Sequence, residues 1–165
     1  MRESIDALDL LEQQHQEIFD LFDGIDDADD LDDRRELFCQ LADKIAAHAT
    51  IEEKLFYPSV LSDDTTRLLL EATEEHLAAK RVLADLLDVE ADDDRFEAKL
   101  VVLRDLFAHH ATDEEEDKLF PLVREAFSEE ELAALGNELA AMYEEIIGTQ
   151  PRLHVPAETV EAAQL

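Results

Sequence analysis

The apolar residues of this chain recur at alternating steps of three and four, which is the pattern of helices that bury one face. A first helix is predicted from an N-cap at about Ser4 to about Gly24. Three further long helices are predicted over roughly 33–57, over roughly 65–88, and from the second acidic turn to about Pro121. Ser128 and Glu131 form a capping box that opens a shorter fifth helix. Little strand-like alternation is present, so the predicted fold class is all-α.

The chain also contains an internal repeat of two helical hairpins. His15 precedes His48 by 33 residues, and His76 precedes His110 by 34. Each second helix carries His-Ala-Thr-x-Glu-Glu, then Lys-Leu-Phe and a proline, which lies ten residues after His48 but eleven after His110. Short connections predict an up-down-up-down four-helix bundle with approximate two-fold symmetry. The predicted organisation is a bundle over 1–125, an additional packing helix over 126–147 and a flexible tail over 148–165.

Metal-ligating residue types occur on the apolar stripe of every main helix. The four histidines concerned are His15, His48, His76 and His110. Glu52 and Glu114 each follow a histidine by four residues, which places them on the same helical face. Burying such groups unpaired is costly, whereas iron, manganese or zinc binds both imidazole and carboxylate. Six ligands are too many for one tetrahedral zinc ion, so the pattern predicts a dinuclear site bridged by the two carboxylates.

Composition narrows the possible partners. The chain has 44 acidic and 14 basic residues, for a net charge of −30. Such a surface repels nucleic acid and anionic membranes, so neither is expected as a partner. The acidic residues are spread along the chain and lysine is scarce, which favours a general adaptation to high salt and therefore a halophilic source.

Location is inferred from three further features. No apolar run approaches the roughly 20 residues that span a bilayer. The first residues lack the basic and then apolar pattern of a secretory signal. The single cysteine, Cys39, excludes an internal disulfide and any multi-cysteine zinc or iron–sulfur site. A cytoplasmic protein is therefore expected.

The combined motifs resemble the hemerythrin-like HHE cation-binding domain over about residues 5–125. They are the histidine of the first helix, His-x-x-x-Glu ending in Phe-Tyr-Pro, Glu74-Glu75-His76, and His-His-x-x-x-Glu ending in Leu-Phe-Pro. The resemblance implies a non-haem di-iron centre, oxo- or hydroxo-bridged, with two carboxylate bridges and reversible O2 binding at an open iron position. It further implies four terminal ligands, His15, His48, His76 and His110, and one bridging carboxylate, Glu52. Manganese or zinc could take the place of iron.

The chain departs from the oxygen-carrying members of this family in two ways. They have a second histidine one turn after the third-helix histidine, where this chain has Lys80, so that ligand is either missing or replaced by water or by a nearby glutamate such as Glu75. This puts simple oxygen carriage in doubt. The second bridge is also ambiguous, because the repeat and the apolar stripe favour Glu114 whereas the carriers have an acid five residues after the histidine, here Glu115. His109 could also exchange roles with His110.

The sequence thus favours a non-haem di-iron protein that binds or senses O2, or handles iron, without turnover of an organic substrate. A wall of phenylalanines is expected to exclude water from the centre, formed by Phe19, Phe22, Phe56, Phe107 and Phe120. The alternative is a di-iron oxidase, peroxidase or nitric-oxide-handling enzyme that uses the position left open at Lys80. Neither the oligomeric state nor a protein partner follows from the sequence.

Overall fold

The main chain of the computed structural model, which describes residues 4–165, is helical almost throughout. Three regular α-helices are α1 (Ala7–Asp27), α3 (Thr66–Leu87) and α5 (Glu129–Ile147). Helix α2 consists of Leu31–Ile51, a π-helical segment Glu52–Phe56, and Tyr57–Val60. Helix α4 consists of Asp94–Ala108, a π-helical segment His109–Leu119, and Phe120–Ala126. A 3₁₀ helix, Pro151–Glu158, follows α5. Residues 4–165 contain no strand, and the all-α prediction is confirmed.

Helices α1 to α4 form the predicted up-down-up-down bundle. Helix α1 packs along α2, and α3 packs along α4. Helix α5 lies across α1 and α2, while the 3₁₀ helix lies across α2 and α3. Gly136 allows α5 to approach the start of α1, because a Cβ atom there would lie 2.3 Å from the carbonyl oxygen of Ile5. None of the helices in the described part of the chain is long and apolar enough to cross a bilayer.

Local capping determines where the helices begin. The Asp6 carboxylate accepts hydrogen bonds from the backbone N–H groups of Leu8 and Asp9, both at 2.9 Å, so Asp6 caps α1 in place of the predicted Ser4. An aspartate at this position is also favoured by the helix dipole. The capping box predicted at Ser128 is present, with reciprocal bonds of 3.1 and 2.8 Å to Glu131.

Both long helices continue through the prolines that were expected to end them. Helix α2 runs on to Val60 and α4 to Ala126. The residue before each proline bonds five residues back, Tyr57 to Glu52 and Phe120 to Glu115, which is π-helical pairing. A proline in an α-helix meets the carbonyl four residues earlier. The wider π turn moves that carbonyl, so the chain stays helical.

The apolar core is divided into two clusters that lie on either side of a polar layer. One cluster is centred on Phe22, Phe38, Phe96 and Leu103, and the other on Leu8, Phe56, Leu69 and Phe120. On each of α1 to α3, the candidate ligand histidine lies between the residues that enter the two clusters, and on α4 His110 directly precedes Ala111, the last residue that α4 contributes to the first cluster. The bundle thus holds its buried polar groups in one central layer.

The segment 148–165, expected as a flexible tail, contains the 3₁₀ helix and packs on the bundle. Gln150 adopts the left-handed conformation, with φ at 57°, and turns the chain back after α5. Arg152 then donates from its backbone N–H and its guanidinium to Asp43, at 3.1 and 2.6 Å. Val155 is 1% exposed and joins the cluster around Phe22. Sequence periodicity could not reveal this docking, because a short 3₁₀ helix presents no amphipathic repeat.

Candidate metal centre

Four imidazoles and two carboxylates meet in the polar layer of the bundle. The residues concerned, all buried, are His15, His48, His76, His110, Glu52 and Glu115. Two overlapping groups of ligand atoms lie within 4.8 Å of one another. The first is His15, His48, Glu52 and Glu115, and the second is Glu52, His76 and His110. The structure therefore brings six of the seven candidate ligands, all but Glu114, together in two adjacent groups that share Glu52.

Each of the two carboxylates joins a histidine of one hairpin to a histidine of the other. Glu52 lies with Oε1 3.1 Å from His48 Nε2 and with Oε2 3.0 Å from His76 Nε2. Glu115 Oε1 lies 3.2 Å from His15 Nε2 and 3.1 Å from His110 Nε2. Each carboxylate therefore lies between ligand-type nitrogen atoms of the two hairpins.

The outer nitrogen of every histidine has its own polar partner. His15 Nδ1 lies 2.7 Å from Glu116, His48 Nδ1 2.8 Å from Gln14, His76 Nδ1 2.9 Å from Glu53, and His110 Nδ1 3.3 Å from Glu75. Such outer partners orient metal-ligating histidines and fix which nitrogen carries the proton. With the proton on Nδ1, each Nε2 lone pair points into the centre.

The preference for Glu114 over Glu115 as the second bridge is corrected by the geometry. Residues 109–119 are π-helical, and a π turn places residues five apart on one face. Glu115, five residues after His110, therefore points inward. The Glu114 carboxylate instead bonds Lys118 at 2.6 Å. An argument based on α-helical spacing had to select the wrong glutamate, because it assumed one period throughout.

The internal repeat becomes regular once it is aligned on Glu52 and Glu115. Each is followed by a glutamate that bonds a histidine Nδ1, and each has a proline six residues further on. The difference of one residue between the two copies therefore falls between His110 and Glu115. This alignment pairs Tyr57 with Phe120, and the alignment of His15 with His76 pairs Phe19 with Lys80.

Tyr57 lies against the centre, and the sequence did not single it out; the same holds for the outer partners Gln14, Glu53 and Glu116. Its ring stacks on His76 with centroids 5.6 Å apart, as the ring of Phe120 stacks on His15 at 6.2 Å. Tyr57 also carries a hydroxyl, which lies 3.0 Å from Glu52 Oε2 and 3.1 Å from Glu115 Oε2. Tyr57 and Phe120, which occupy equivalent positions in the two halves of the centre, therefore differ by one phenolic oxygen. Alignment of Phe-Tyr-Pro with Leu-Phe-Pro could have shown the asymmetry, but an aromatic stripe is usually core.

Lys80 occupies the position at which the oxygen-carrying members of the family have a further histidine. Its side chain contacts an outer partner of His76 and not the centre itself. Its ammonium donates to both oxygens of Glu53, at 3.0 and 3.1 Å, and Glu53 in turn bonds His76 Nδ1. Glu75 does not replace the missing ligand, because its carboxylate contacts the outer nitrogen of His110 and, at 3.0 Å, Nε2 of His109. His109 is 55% exposed and does not exchange places with His110.

The histidines, carboxylates and phenol of the central polar layer shift one another's pKa values. Burial alone would lower the pKa of His15, but bonds to Glu115 and Glu116 outweigh it and raise the pKa to about 9. Burial alone would raise the pKa of Glu52, but the surrounding histidines hold it well below its usual range. Burial and the two carboxylates raise the pKa of the Tyr57 phenol well above its usual value, so the hydroxyl keeps its proton.

The His48–Glu52 pair shows that these residues fit a metal ion. Burial lowers the pKa of His48, which favours the neutral imidazole, and Gln14 Oε1 accepts a hydrogen bond from its Nδ1–H. His48 Nε2 and Glu52 Oε1 then face each other as two acceptors 3.1 Å apart, and neither has a hydrogen-bond partner. Buried acceptors are rarely left in this state. A cation between them satisfies both.

Comparisons with known proteins agree with this geometry. The Hemerythrin HHE cation binding domain family matches residues 6–123. The crystal structure of a hemerythrin HHE cation binding domain-containing protein from Mycobacterium kansasii superposes with a TM-score of 0.79, at 27% identity over 93% of this chain and 99% of that one. No curated protein matches the sequence. The chain belongs to the hemerythrin HHE cation-binding domain family.

Proposed function

We propose that this protein holds two iron ions in the central layer and uses them to bind or sense O2 or another small diatomic molecule. The observation that carries the proposal is the arrangement of Glu52 and Glu115, each lying between histidines of the two hairpins. Imidazole with carboxylate suits iron, and manganese or zinc would accept the same donors. Metal-cation binding is the property that the family name describes.

The histidines divide between the two positions. His15 and His48 would hold one ion, His76 and His110 the other, with Glu52 and Glu115 contacting both. When bound in the ferrous state, such a pair supplies two electrons to O2. The chain's own contribution is to keep the four Nε2 atoms aimed inward through their outer partners and to surround them with apolar side chains.

The two positions are not equivalent, and we assign the ligand to the His76–His110 side. On the His15 side, Phe120 stacks on His15 and Phe107 packs against His15 and His48, and neither ring offers a polar atom. On the other side Tyr57 Oη lies 3.4 Å from His76 Nε2 and retains its proton between the two carboxylates. A ligand there would meet a hydrogen-bond donor that the His15 side lacks.

Anaerobic titration of the metal-free protein with Fe(II), followed by admission of air, tests this function. We expect saturation near two irons per chain and new near-ultraviolet absorption that reverses under vacuum. His48→Ala should lower the stoichiometry, whereas the exposed His109→Ala should leave it at two. Saturation at one iron or none would refute the dinuclear centre.

The Tyr57 phenol favours a second candidate, an oxidase, peroxidase or nitric-oxide-handling enzyme. A buried O–H group bonded to both carboxylates can hold a proton where a reaction would need one. Repeated consumption of O2, peroxide or nitric oxide by the iron-loaded protein would establish this activity. Absorption bands that form and persist without turnover would instead favour sensing or iron handling.

We place the protein in a cytoplasm of high salt content. The free Cys39 suits a reducing compartment, and the net charge of −30 suits an ionic environment that screens it. The same charge opposes binding to nucleic acid or anionic membranes. A sensor of this kind would pass its signal to a separate protein.

A further inference from the structure

A small cavity adjoins the metal centre on the His76–His110 side. Its volume is about 20 Å³, and one water molecule needs about 10–15 Å³ of such space. Three of the candidate ligands, His48, His76 and His110, line it. Most of the remaining wall is apolar and includes Ile45, Ala79, Leu83, Phe107 and Val155. The cavity therefore suits one small, weakly polar molecule beside the histidines.

One part of this wall comes from outside the four-helix bundle. Val155 belongs to the 3₁₀ helix that packs across α2 and α3, and it is 1% exposed. It joins the same apolar cluster as Leu83 and Phe107. The 3₁₀ helix thus supplies a side chain to a cavity formed otherwise by the bundle.

Two basic residues of α3 hold the segment around Val155 on the bundle. Arg81 donates to the carbonyl oxygens of Thr159 and Val160, at 3.0 and 3.3 Å. Lys80 lies 3.4 Å from the Glu158 carboxylate while it also bonds Glu53, the outer partner of His76. The segment is therefore tied both to the bundle and to the shell of the metal centre.

We propose that the 3₁₀ helix closes this cavity as the ligand chamber of the centre, and that Val155 limits the size of the molecule that can reach the His76–His110 position. The chamber's ligand class, a molecule of two or three non-hydrogen atoms, rests on the proposed function. The closure of the cavity by the 3₁₀ helix does not depend on the proposed function. Val155→Ala enlarges the chamber, and Val155→Phe fills it.

Xenon binding to the metal-free protein tests the closure without any metal chemistry, since xenon enters dry apolar cavities. Crystals of the wild type under xenon pressure should show an atom between Leu83, Phe107 and Val155. Its occupancy should rise in Val155→Ala and vanish in Val155→Phe. Leu153→Ala is the matched control, because Leu153 is in the same 3₁₀ helix but 62% exposed. Unchanged xenon occupancy in Val155→Phe would overturn the closure.

Azide, a linear anion of three atoms, tests whether the chamber serves the iron-loaded centre. We expect at least a tenfold weaker azide affinity in Val155→Phe, none of this loss in Leu153→Ala, and tighter binding of the larger acetate in Val155→Ala. If Val155→Phe does not fold, Val155→Ile should change both readouts in the same direction. Loss of xenon with unchanged azide affinity would overturn the ligand chamber. Failure of the wild type to bind iron would refute the proposed function and leave the closure to the xenon result.

Discussion

At the scale of single residues, Glu114 and Glu115 provide the sharpest test of the centre. Glu115→Gln removes a carboxylate that lies between two histidines, so we expect the loss of at least one of the two irons. Glu114→Gln changes a neighbouring carboxylate that bonds Lys118, and should keep both. Iron stoichiometry by elemental analysis after anaerobic loading measures the difference. The reverse result would mean that the helix around these residues is not π-helical in solution.

Tyr57→Phe removes the hydroxyl by which Tyr57 differs from Phe120 in the other half of the centre. The ring still stacks on His76, but Glu52 and Glu115 lose a shared buried donor. Hydrogen bonds to charged groups contribute about 1.5–3 kcal/mol, so the free energy of unfolding of the metal-free protein should fall by about that amount. Tyr143→Phe, on α5 and away from the centre, should have little effect. Urea unfolding of both variants checks this, and equal losses would assign no special role to the Tyr57 hydroxyl.

The residues that sequence could and could not identify differ in a physical way. His15, His48, His76 and His110 lie on regular apolar stripes, so their buried positions followed from helical period alone. The inward position of Glu115 could not be predicted from the helical period, because it depends on a change from α to π pairing that no residue pattern marks clearly. The role of Tyr57 could not be predicted either, since a hydroxyl bonded to two carboxylates is a tertiary contact.

At the scale of elements, the repeat implies that one residue of the π-helical segment in α4 is dispensable. Deletion of the exposed Thr112 gives His110 the spacing of His48, with the bridging glutamate four residues later and the proline ten. We expect this variant to fold and to bind two irons. Deletion of Val101, 57% exposed in the regular part of α4, should abolish iron binding because each α-helical residue turns the helix by about 100°.

Circular dichroism and iron stoichiometry of the two deletion variants decide between these outcomes. Equal damage from both deletions would mean that the π-helical segment is required in full. The comparison also separates two kinds of prediction. Helix existence followed from apolar period and capping residues such as Ser128, whereas helix continuation past Pro121 required knowledge of the π pairing before it.

At the scale of the whole molecule, the charged residues form two groups, one buried in the central layer and one exposed on the surface. The central layer is buried, and its carboxylates are matched by histidines and by Lys80. The remaining excess of acid over base contributes to the net charge of −30 and lies mostly on exposed positions. Repulsion among exposed charges depends on salt, whereas buried pairs are screened much less. Salt should therefore act on stability while leaving iron stoichiometry unchanged.

The melting temperature of the metal-free protein should rise with ionic strength. The Debye length falls from about 10 Å at 0.1 M to about 3 Å at 1 M, which screens the repulsion between surface carboxylates. In a chain of this size each kcal/mol of relieved repulsion raises the melting temperature by about 2–4 °C. Calorimetry in KCl between these concentrations measures the rise. A variant with asparagine at the exposed Asp27, Asp29, Asp63, Asp64 and Asp92 carries five fewer negative charges and should respond less. If the two proteins respond equally, or neither responds, the acidic surface is not what links stability to salt.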